Sequence, residues 1–243
     1  MGEAVAAAQA TFSTGIQTTV EGIYYSSDLL QSEFAQNLMR EQTLRGIPCY
    51  DTSAAVFSSL AEKENPQGIL AVVRLRRASL AELTPDTFSF GVALVAPQDP
   101  GNVGTILRTL DAVGGDGLLL LDSSADPTHP NVVRASMGTL FWYPLVSASF
   151  ADFARWAKRQ RYHIYGTSAH GSRDYRAMTT YERPLILLLG NEREGLTIEQ
   201  RAVCEEVIGL PMHGRASSLN LAVAAGVLLY AIEEKITAGP ASG

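Results

Sequence analysis

Short apolar runs alternate with helix-like segments along most of the chain. From residue 91 onward, five such runs are predicted as strands: GVALVA, GLLLLD, HIYGTS, PLILLLG and EVIGLPM. Continuous apolar runs of this length are typical of strands buried on both faces of a parallel sheet. Helical segments separate them, at 102–114, 131–140, 149–161 and 197–204. This alternation predicts an α/β layered domain over residues 91–243.

The N-terminal part has its own alternation of strand-like and helix-like segments. This pattern predicts a small α/β unit over residues 16–78. Its strands are TTVEGIYY, IPCYDT and GILAVVRL, with helices between them, the first closed by Gly46. The polar segment 79–90 contains a proline and is predicted as a linker. The Ala-rich segment 1–15 lacks the pattern of a secretory signal and is predicted as a flexible tail.

Composition excludes several classes of protein. The 243 residues carry a formal net charge of −6 with a pI of about 5.3, so any nucleic-acid binding must depend on local patches. One candidate patch places Arg155, Lys158 and Arg159 on one helical face, although such runs more often mark a solvated face. No run is long enough for a membrane span. Cys49 and Cys204 are isolated, which favours a reducing, cytoplasmic setting and gives no metal-binding spacing.

Three polar loops follow predicted buried strands. In the first, a strand ends at Ala96, Asn102 is predicted as the helix N-cap, and Arg108 lies about two turns into the helix. The sequence GNVG lacks the spacing of a full dinucleotide fingerprint, so an ordinary tight βα turn remains an alternative for this loop.

The second and third loops are richer in polar groups. Gly190, Glu192 and Gly195 follow the PLILLL run, and the third loop carries Ser217, Ser218 and Asn220 before a segment that is apolar on every side. That segment predicts a helix buried on every side. Ligands gather beyond the carboxyl ends of strands in open α/β sheets. The loops therefore predict one shared cleft, and its expected lining is Asn102, Arg108, Glu192, Ser218 and Asn220.

Taken together, the three loops resemble the motifs of the SpoU/TrmH branch of the SPOUT methyltransferases, which methylate ribose 2′-hydroxyls of RNA. The first motif matches at Asn102, Gly104 and Arg108. The second matches at Gly190, Asn191, Glu192 and Gly195. The third matches at Pro211, Met212, Gly214, Ser218, Leu219 and Asn220. A further run matches at Pro130, Arg134, Ser136 and Gly138. The resemblance covers about residues 90–235, with the motifs in family order.

The resemblance implies a parallel-sheet domain with a C-terminal trefoil knot, a rare exception to the unknotted chain. It also implies that the cofactor is S-adenosylmethionine (AdoMet), held by Thr167, Gly190, Asn191, Gly195, Leu210, Met212 and Leu219. A homodimer through the knot region and an RNA substrate, ribosomal RNA or tRNA, are implied as well. The N-terminal unit is similar to the ribosomal-protein-like RNA-binding domain of many family members.

The resemblance assigns catalysis to Arg108, Asn102, Glu192, Ser218 and Asn220. A guanidinium is not expected to deprotonate in a protein, so we expect Arg108 to pair with a phosphate and stabilise the developing alkoxide. Two other hypotheses stay open at this point: a nucleotide-binding oxidoreductase, and an RNA-binding module of the same fold without catalysis.

Overall fold

The structure is a computed structural model, and it describes residues 18–61, 65–169 and 173–237. The predicted tail, 1–15, lies outside the described residues. The chain divides into two compact units between Arg76 and Arg77.

The first unit is a three-stranded sheet with two helices. Its elements are β1 (Thr19–Tyr25), α1 (Glu33–Leu44), β2 (Cys49–Asp51), α2 (Ala54–Ala61) and β3 (Ile69–Arg74). The strand order is β2-β1-β3, with β2 parallel and β3 antiparallel to β1. Its core joins β1 to α1 through the buried residues Ile23, Leu30, Ala35, Leu38, Met39 and Ile69. After α1, Gly46 has φ +78°, as its predicted role of closing the helix requires.

The second unit contains nine strands and five helices among the described residues. They are β4 (Phe90–Val95), α3 (Pro100–Ala112), β5 (Gly117–Leu121), α4 (Pro130–Ala135), β6 (Leu145–Ala148), α5 (Phe150–Arg159), β7 (His163–Thr167), β8 (Arg173–Asp174), β9 (Tyr181–Glu182), β10 (Leu185–Leu189), α6 (Ile198–Arg201), β11 (Glu206–Gly209), α7 (Leu221–Glu233) and β12 (Ile236–Thr237).

Seven of these strands form one parallel sheet in the order β6-β5-β4-β10-β7-β11-β8, which confirms the predicted α/β fold class. The chain winds outward from β4 to β6 and then crosses through α5 to β7 on the other side. As a result β4 and β10 are neighbours, with Leu94 opposite Leu189. The winding therefore changes direction around β4, where a crevice opens beyond the carboxyl ends of the strands.

Both faces of this sheet are covered, so its central strands are apolar at every position. One face packs Val95, Leu121 and Ile186 against Phe153 and Trp156 of α5. On the other face, α7 packs against α3 and β10. A strand covered on both sides has no solvent-facing position, which explains why the continuous apolar runs predicted these strands well.

The segment 79–90 is predicted as a linker, but in the structure part of it is buried in the core of the second unit. It contains a 3₁₀ turn at Leu80–Glu82, and Leu83 and Phe88 are buried in the same core as Trp156. These apolar residues pack the segment against the second unit. The mostly polar composition of the segment predicted an exposed linker and did not predict this contact.

The predicted helix at 131–140 is shorter than expected. α4 ends at Ala135, because Met137 (φ +51°) and Gly138 (φ +98°) turn the backbone out of the helix before a 3₁₀ turn at Thr139–Phe141. In the described ranges, no helix is both long and apolar enough to cross a bilayer.

Candidate functional site

A cleft of about 570 Å³ lies at the carboxyl edge of the seven-stranded sheet. The segments that follow β4, β10, β7 and β11 contribute to its walls, and the start of α7 closes one side. These are the strands around the change of winding direction, where the sheet topology leads us to expect a ligand.

Eleven of the twelve residues predicted for the site line this cleft. They are Asn102, Glu192, Ser218, Asn220, Thr167, Gly190, Asn191, Gly195, Leu210, Met212 and Leu219. The structure thus brings together residues that are more than a hundred positions apart in the sequence.

Arg108 is the exception. It is exposed on α3 and lies outside the residues that line the cleft of its own chain. Its guanidinium has no hydrogen bond or ion pair within the described part of the chain. The prediction that Arg108 lines the shared cleft is therefore wrong for a single chain.

The prediction that Asn102 is the N-cap of α3 is also wrong. Asp99 caps the helix, with its Oδ1 accepting from the Gly101 amide at 2.7 Å, and Pro100 occupies the first turn. Proline fits that position because its missing N–H and fixed φ cost the helix nothing there. Asn102 lies one turn further on and is 6% exposed.

A chain of side-chain hydrogen bonds joins the three loops. Asn220 Nδ2 donates to Asn102 Oδ1 at 3.0 Å, and Asn102 Nδ2 donates to Glu192 Oε1 at 3.3 Å. The Glu192 carboxylate also accepts from the backbone amide of Gln98 at 3.1 Å. These hydrogen bonds therefore join the three loops to one another, and the Glu192 carboxylate accepts hydrogen bonds from groups of the protein itself.

The loop after β10 is built by Asn191 and two glycines. Asn191 Nδ2 donates to Ala96 O at 2.9 Å, while its Oδ1 accepts from the amides of Arg193 and Glu194. The Asn191 side chain thus shapes the loop, and its carbonyl closes the turn by accepting from the Gly195 amide at 2.9 Å. At Gly190, a Cβ would come closer than 3.0 Å to backbone atoms of the following turn, so glycine is required there.

The helix α7 begins with a side-chain cap. Asn220 Oδ1 accepts from the amides of Ala222 at 2.9 Å and Val223 at 3.3 Å. In the single chain this helix is covered on one side only, and the predicted burial of its other side depends on the second subunit that the resemblance implies. The α7 residues Val223, Val227 and Tyr230 are 53%, 41% and 53% exposed and form an apolar stripe.

Several lining residues were not predicted, among them Ser168, Arg193, Glu194 and Arg201. Arg201 comes from the short helix α6, where no recognisable motif marks it. The neighbouring Cys204 is packed under Gly166 of β7, and this burial raises the pKa of its thiol to about 11. At neutral pH that thiol is protonated and is a poor nucleophile.

The chemistry that the cleft offers is hydrogen bonding, charge and shape. Amide and hydroxyl groups of Asn102, Ser218 and Asn220 surround one end, and apolar side chains such as Ile208 and Leu210 form a wall. Among the residues that the structure describes, no cluster of His, Cys, Asp or Glu could hold a metal ion.

A family model and the sequence relatives both place this chain among the RNA methyltransferases. Residues 89–230 match the model of the SpoU rRNA Methylase family. The 23S rRNA (guanosine(2553)-2′-O)-methyltransferase RlmP of Bacillus subtilis is 34% identical, with 76% of this chain and 72% of the relative covered. The 23S rRNA (uridine(2479)-2′-O)-methyltransferase of Streptomyces viridochromogenes is 33% identical, with 90% of this chain and 77% of the relative covered.

Solved structures agree with the sequence relatives. The AdoMet-bound rRNA methyltransferase of Sinorhizobium meliloti superposes with a TM-score of 0.81 at 31% identity, covering 93% of this chain and 83% of that one. The SpoU methyltransferase AviRb of Streptomyces viridochromogenes, in complex with AdoMet, gives 0.80 at 31% identity, covering 95% of this chain and 87% of that one. The matched segment contains all three loops of the cleft, and this chain belongs to the SpoU rRNA methylase family.

Proposed function

We propose that this protein transfers a methyl group from AdoMet to a ribose 2′-hydroxyl of RNA. The observation that carries the proposal is the convergence of the three motif loops in one cleft, joined by the hydrogen bonds between Asn220, Asn102 and Glu192. Relatives named as rRNA 2′-O-methyltransferases and AdoMet-bound family structures support it.

The residues of the cleft fit AdoMet. Leu210 and Leu219 offer apolar surface for the adenine, and Gly190 allows the backbone to approach the ligand closely. In this proposal Thr167, Asn191, Gly195 and Met212 complete the cofactor site. When bound, AdoMet supplies the electrophilic methyl carbon, so the protein contributes position and electrostatics.

The polar end of the cleft would hold the RNA ribose. Ser218 and Asn220 are exposed at the mouth of the cleft, where their polar groups can orient a 2′-hydroxyl towards the methyl donor. Asn102 and Glu192 act as positioning residues, because their hydrogen bonds fix Asn220 and the loop at Gln98.

Arg108 would provide the positive charge for the reaction. Because Arg108 lies outside the cleft of its own chain, in the proposed homodimer its exposed guanidinium would meet the RNA phosphate and stabilise the developing alkoxide at the cleft of the other copy. Arg108→Lys keeps the charge but removes the planar donor fork, so turnover should fall at least ~100-fold while AdoMet affinity is unchanged. The matched control is Arg159→Lys, on the exposed side of α5. Near-normal turnover by Arg108→Lys would remove this residue from the mechanism.

Ribosomal RNA is the proposed substrate. The two relatives described above act on 23S rRNA, one at a guanosine and the other at a uridine. The shared chemistry is thus directed at the ribose, while the choice of base differs between relatives. In this proposal the first unit binds RNA, the second unit is the methyltransferase domain, and the protein works in the cytoplasm.

The protein would act as a homodimer through the knot region. The apolar stripe of Val223, Val227 and Tyr230 supports this, because a second copy would cover it. Val227→Arg should then give monomers by analytical ultracentrifugation, whereas Val56→Arg, at an exposed apolar site of the first unit, should not. A monomeric wild-type protein would contradict the dimer. The trefoil knot of the C-terminal segment is part of the same proposal.

The direct test is methyl transfer from tritiated AdoMet to purified rRNA and tRNA. We expect label in rRNA, at a nucleotide whose 3′ bond resists alkaline hydrolysis because its 2′-oxygen is blocked. Label in tRNA alone would change the substrate, and label on a base would refute ribose methylation. Absence of transfer to either RNA, with AdoMet bound, would favour the non-catalytic RNA-binding module. Binding of NAD in place of AdoMet would favour the oxidoreductase hypothesis.

A further inference from the structure

The cleft has two unlike ends. Asn102 follows β4, whereas Thr167, Ser168 and Ala169 follow β7, two strands away in the sheet. Neighbouring strands are about 4.8 Å apart, so these two walls are separated by roughly 10 Å along the sheet edge. The β4 end carries the amide groups discussed above. At the β7 end, Leu196 and Cys204, which lie before and after α6, pack against Gly166.

Two cationic residues line the cleft among the described residues, Arg193 and Arg201. Arg193 lies in the exposed turn after β10, and its hydrogen bond to a described residue is made by the backbone amide, not by the side chain. Arg201 is held through its side chain, because its Nε donates to Leu196 O at 3.0 Å. The two Nη groups of Arg201 have no hydrogen-bond or ion-pair partner in the ranges that the structure describes. Its guanidinium is therefore anchored at one nitrogen while its two terminal nitrogens remain available.

AdoMet carries one carboxylate, at the amino-acid end of the molecule, on the opposite side of the sulfur from the adenosine. A carboxylate in a cleft needs a cationic or hydrogen-bonding partner to offset its loss of water. The planar guanidinium fork matches a carboxylate with two parallel hydrogen bonds, and anchoring it beforehand reduces the entropy lost on binding. Of the described residues, two acidic ones line the cleft: Glu192 is occupied by Gln98 and Asn102, and Glu194 makes no ion pair with Arg201.

We propose that Arg201 binds the carboxylate of the methyl donor and so fixes the amino-acid end of the ligand at the β7 end of the cleft. This inference rests on the proposed function, because it takes AdoMet as the ligand of the cleft. Arg201 is a binding residue in this account and takes no part in the chemistry at the methyl group.

The test compares two ligands that differ in the amino-acid end. S-adenosylhomocysteine carries the carboxylate, whereas 5′-methylthioadenosine lacks the whole amino-acid group. By isothermal titration calorimetry, Arg201→Ala should weaken S-adenosylhomocysteine binding by ~10-fold or more and leave methylthioadenosine binding unchanged. Unchanged methylthioadenosine affinity also shows that the cleft is folded in the variant. Arg201→Lys should restore part of the loss, and Arg193→Ala should change neither affinity.

The outcomes separate the two proposals. If the wild-type protein binds neither ligand, the assignment of the cleft to AdoMet fails. If it binds both and Arg201→Ala weakens both equally, Arg201 supports the fold of the cleft and the carboxylate assignment is wrong. An unchanged affinity for S-adenosylhomocysteine, or a loss in Arg193→Ala instead, also overturns it.

Discussion

Asn220 Nδ2 donates a hydrogen bond to Asn102 Oδ1 at 3.0 Å, across 118 positions of the sequence. The same Asn220 caps α7 with its other side-chain atom, Oδ1. One side chain thus starts a helix and ties that helix to the loop after β4. The two roles use different atoms, so they can be separated by substitution.

Asn220→Asp keeps the capping oxygen and loses the amide donor, whereas Asn220→Ala loses both. We expect urea denaturation to show a loss of about 1 kcal/mol for the aspartate variant and about 2 kcal/mol for the alanine variant. Both should lose methyl transfer. Ser149→Ala is the control, because it removes the cap of α5, where Ser149 Oγ accepts from the Asp152 amide at 3.0 Å, far from the cleft. Equal stability of the two Asn220 variants would contradict separate roles.

The glycines of the loop after β10 should differ sharply in their tolerance of alanine. A Cβ at Gly190 would meet the backbone of Gly195 and Leu196, whereas at Gly195, with φ +69°, it would meet nothing within 4 Å. Gly190→Ala should cost about 3 kcal/mol or more and abolish S-adenosylhomocysteine binding. Gly195→Ala should cost about 1–2 kcal/mol, the strain of a left-handed residue. Thermal unfolding and calorimetry check both, and a Gly190→Ala variant that binds ligand normally would argue against the tight turn.

Two acidic neighbours provide a further matched pair. Glu192 accepts hydrogen bonds from Gln98 and Asn102, whereas the Glu194 side chain makes no hydrogen bond or ion pair with any described residue. Glu192→Gln should lower stability by about 1–2 kcal/mol, because it removes the charge that strengthens these hydrogen bonds. Glu194→Gln should stay within about 0.5 kcal/mol of the wild type. Urea denaturation distinguishes them, and similar losses in both variants would speak against the linking role of Glu192.

Cys204 should be unreactive in the folded protein at pH 8. Burial raises the pKa of its thiol to about 11, so the folded state keeps the proton in a range where the unfolded chain begins to lose it. The protonated Cys204 thiol contributes its full stabilisation of the folded state below pH 9, the pKa of the thiol in the unfolded chain. This contribution is lost as the pH rises towards 11. Mass spectrometry after iodoacetamide treatment should show Cys204 modified in urea but protected in buffer. Equal modification in both conditions would contradict the burial.

Sequence patterns predicted five of the nine described strands of the second unit, β4, β5, β7, β10 and β11, because both sheet faces are covered, which makes every position of β4 or β10 apolar. The patterns missed β6, β8, β9 and β12, which are only two to four residues long. The pairing of β4 with β10 could not be read from local patterns, because it depends on contacts between residues about ninety positions apart. Asp99 and Asn102 are both good caps by type, and the proline between them decided the helix start.

The site residues were predicted from the motifs. The structure shows which of these residues line the cleft and which lining residues the motifs do not include. Eleven of the twelve residues line one cleft, while Arg108 is on the outer side of α3. The position of Arg108 in the sequence did not predict which side of α3 it occupies, because a residue two turns from the helix start can lie on the cleft side or on the outer side. Arg201 was not predicted because its place in the cleft depends on how the segment around α6 packs against β7 through Leu196 and Cys204, for which the sequence has no signature.

The bond between Asn220 and Asn102 joins the last loop of the cleft to be synthesised to the first one. Every strand of the large sheet precedes residue 220, so the sheet can form before the last loop of the cleft has left the ribosome. A nascent chain that stops short of α7 would possess the scaffold and still be unable to retain its methyl donor. Ligand binding thereby depends on a loop that is synthesised only after all seven strands of the large sheet.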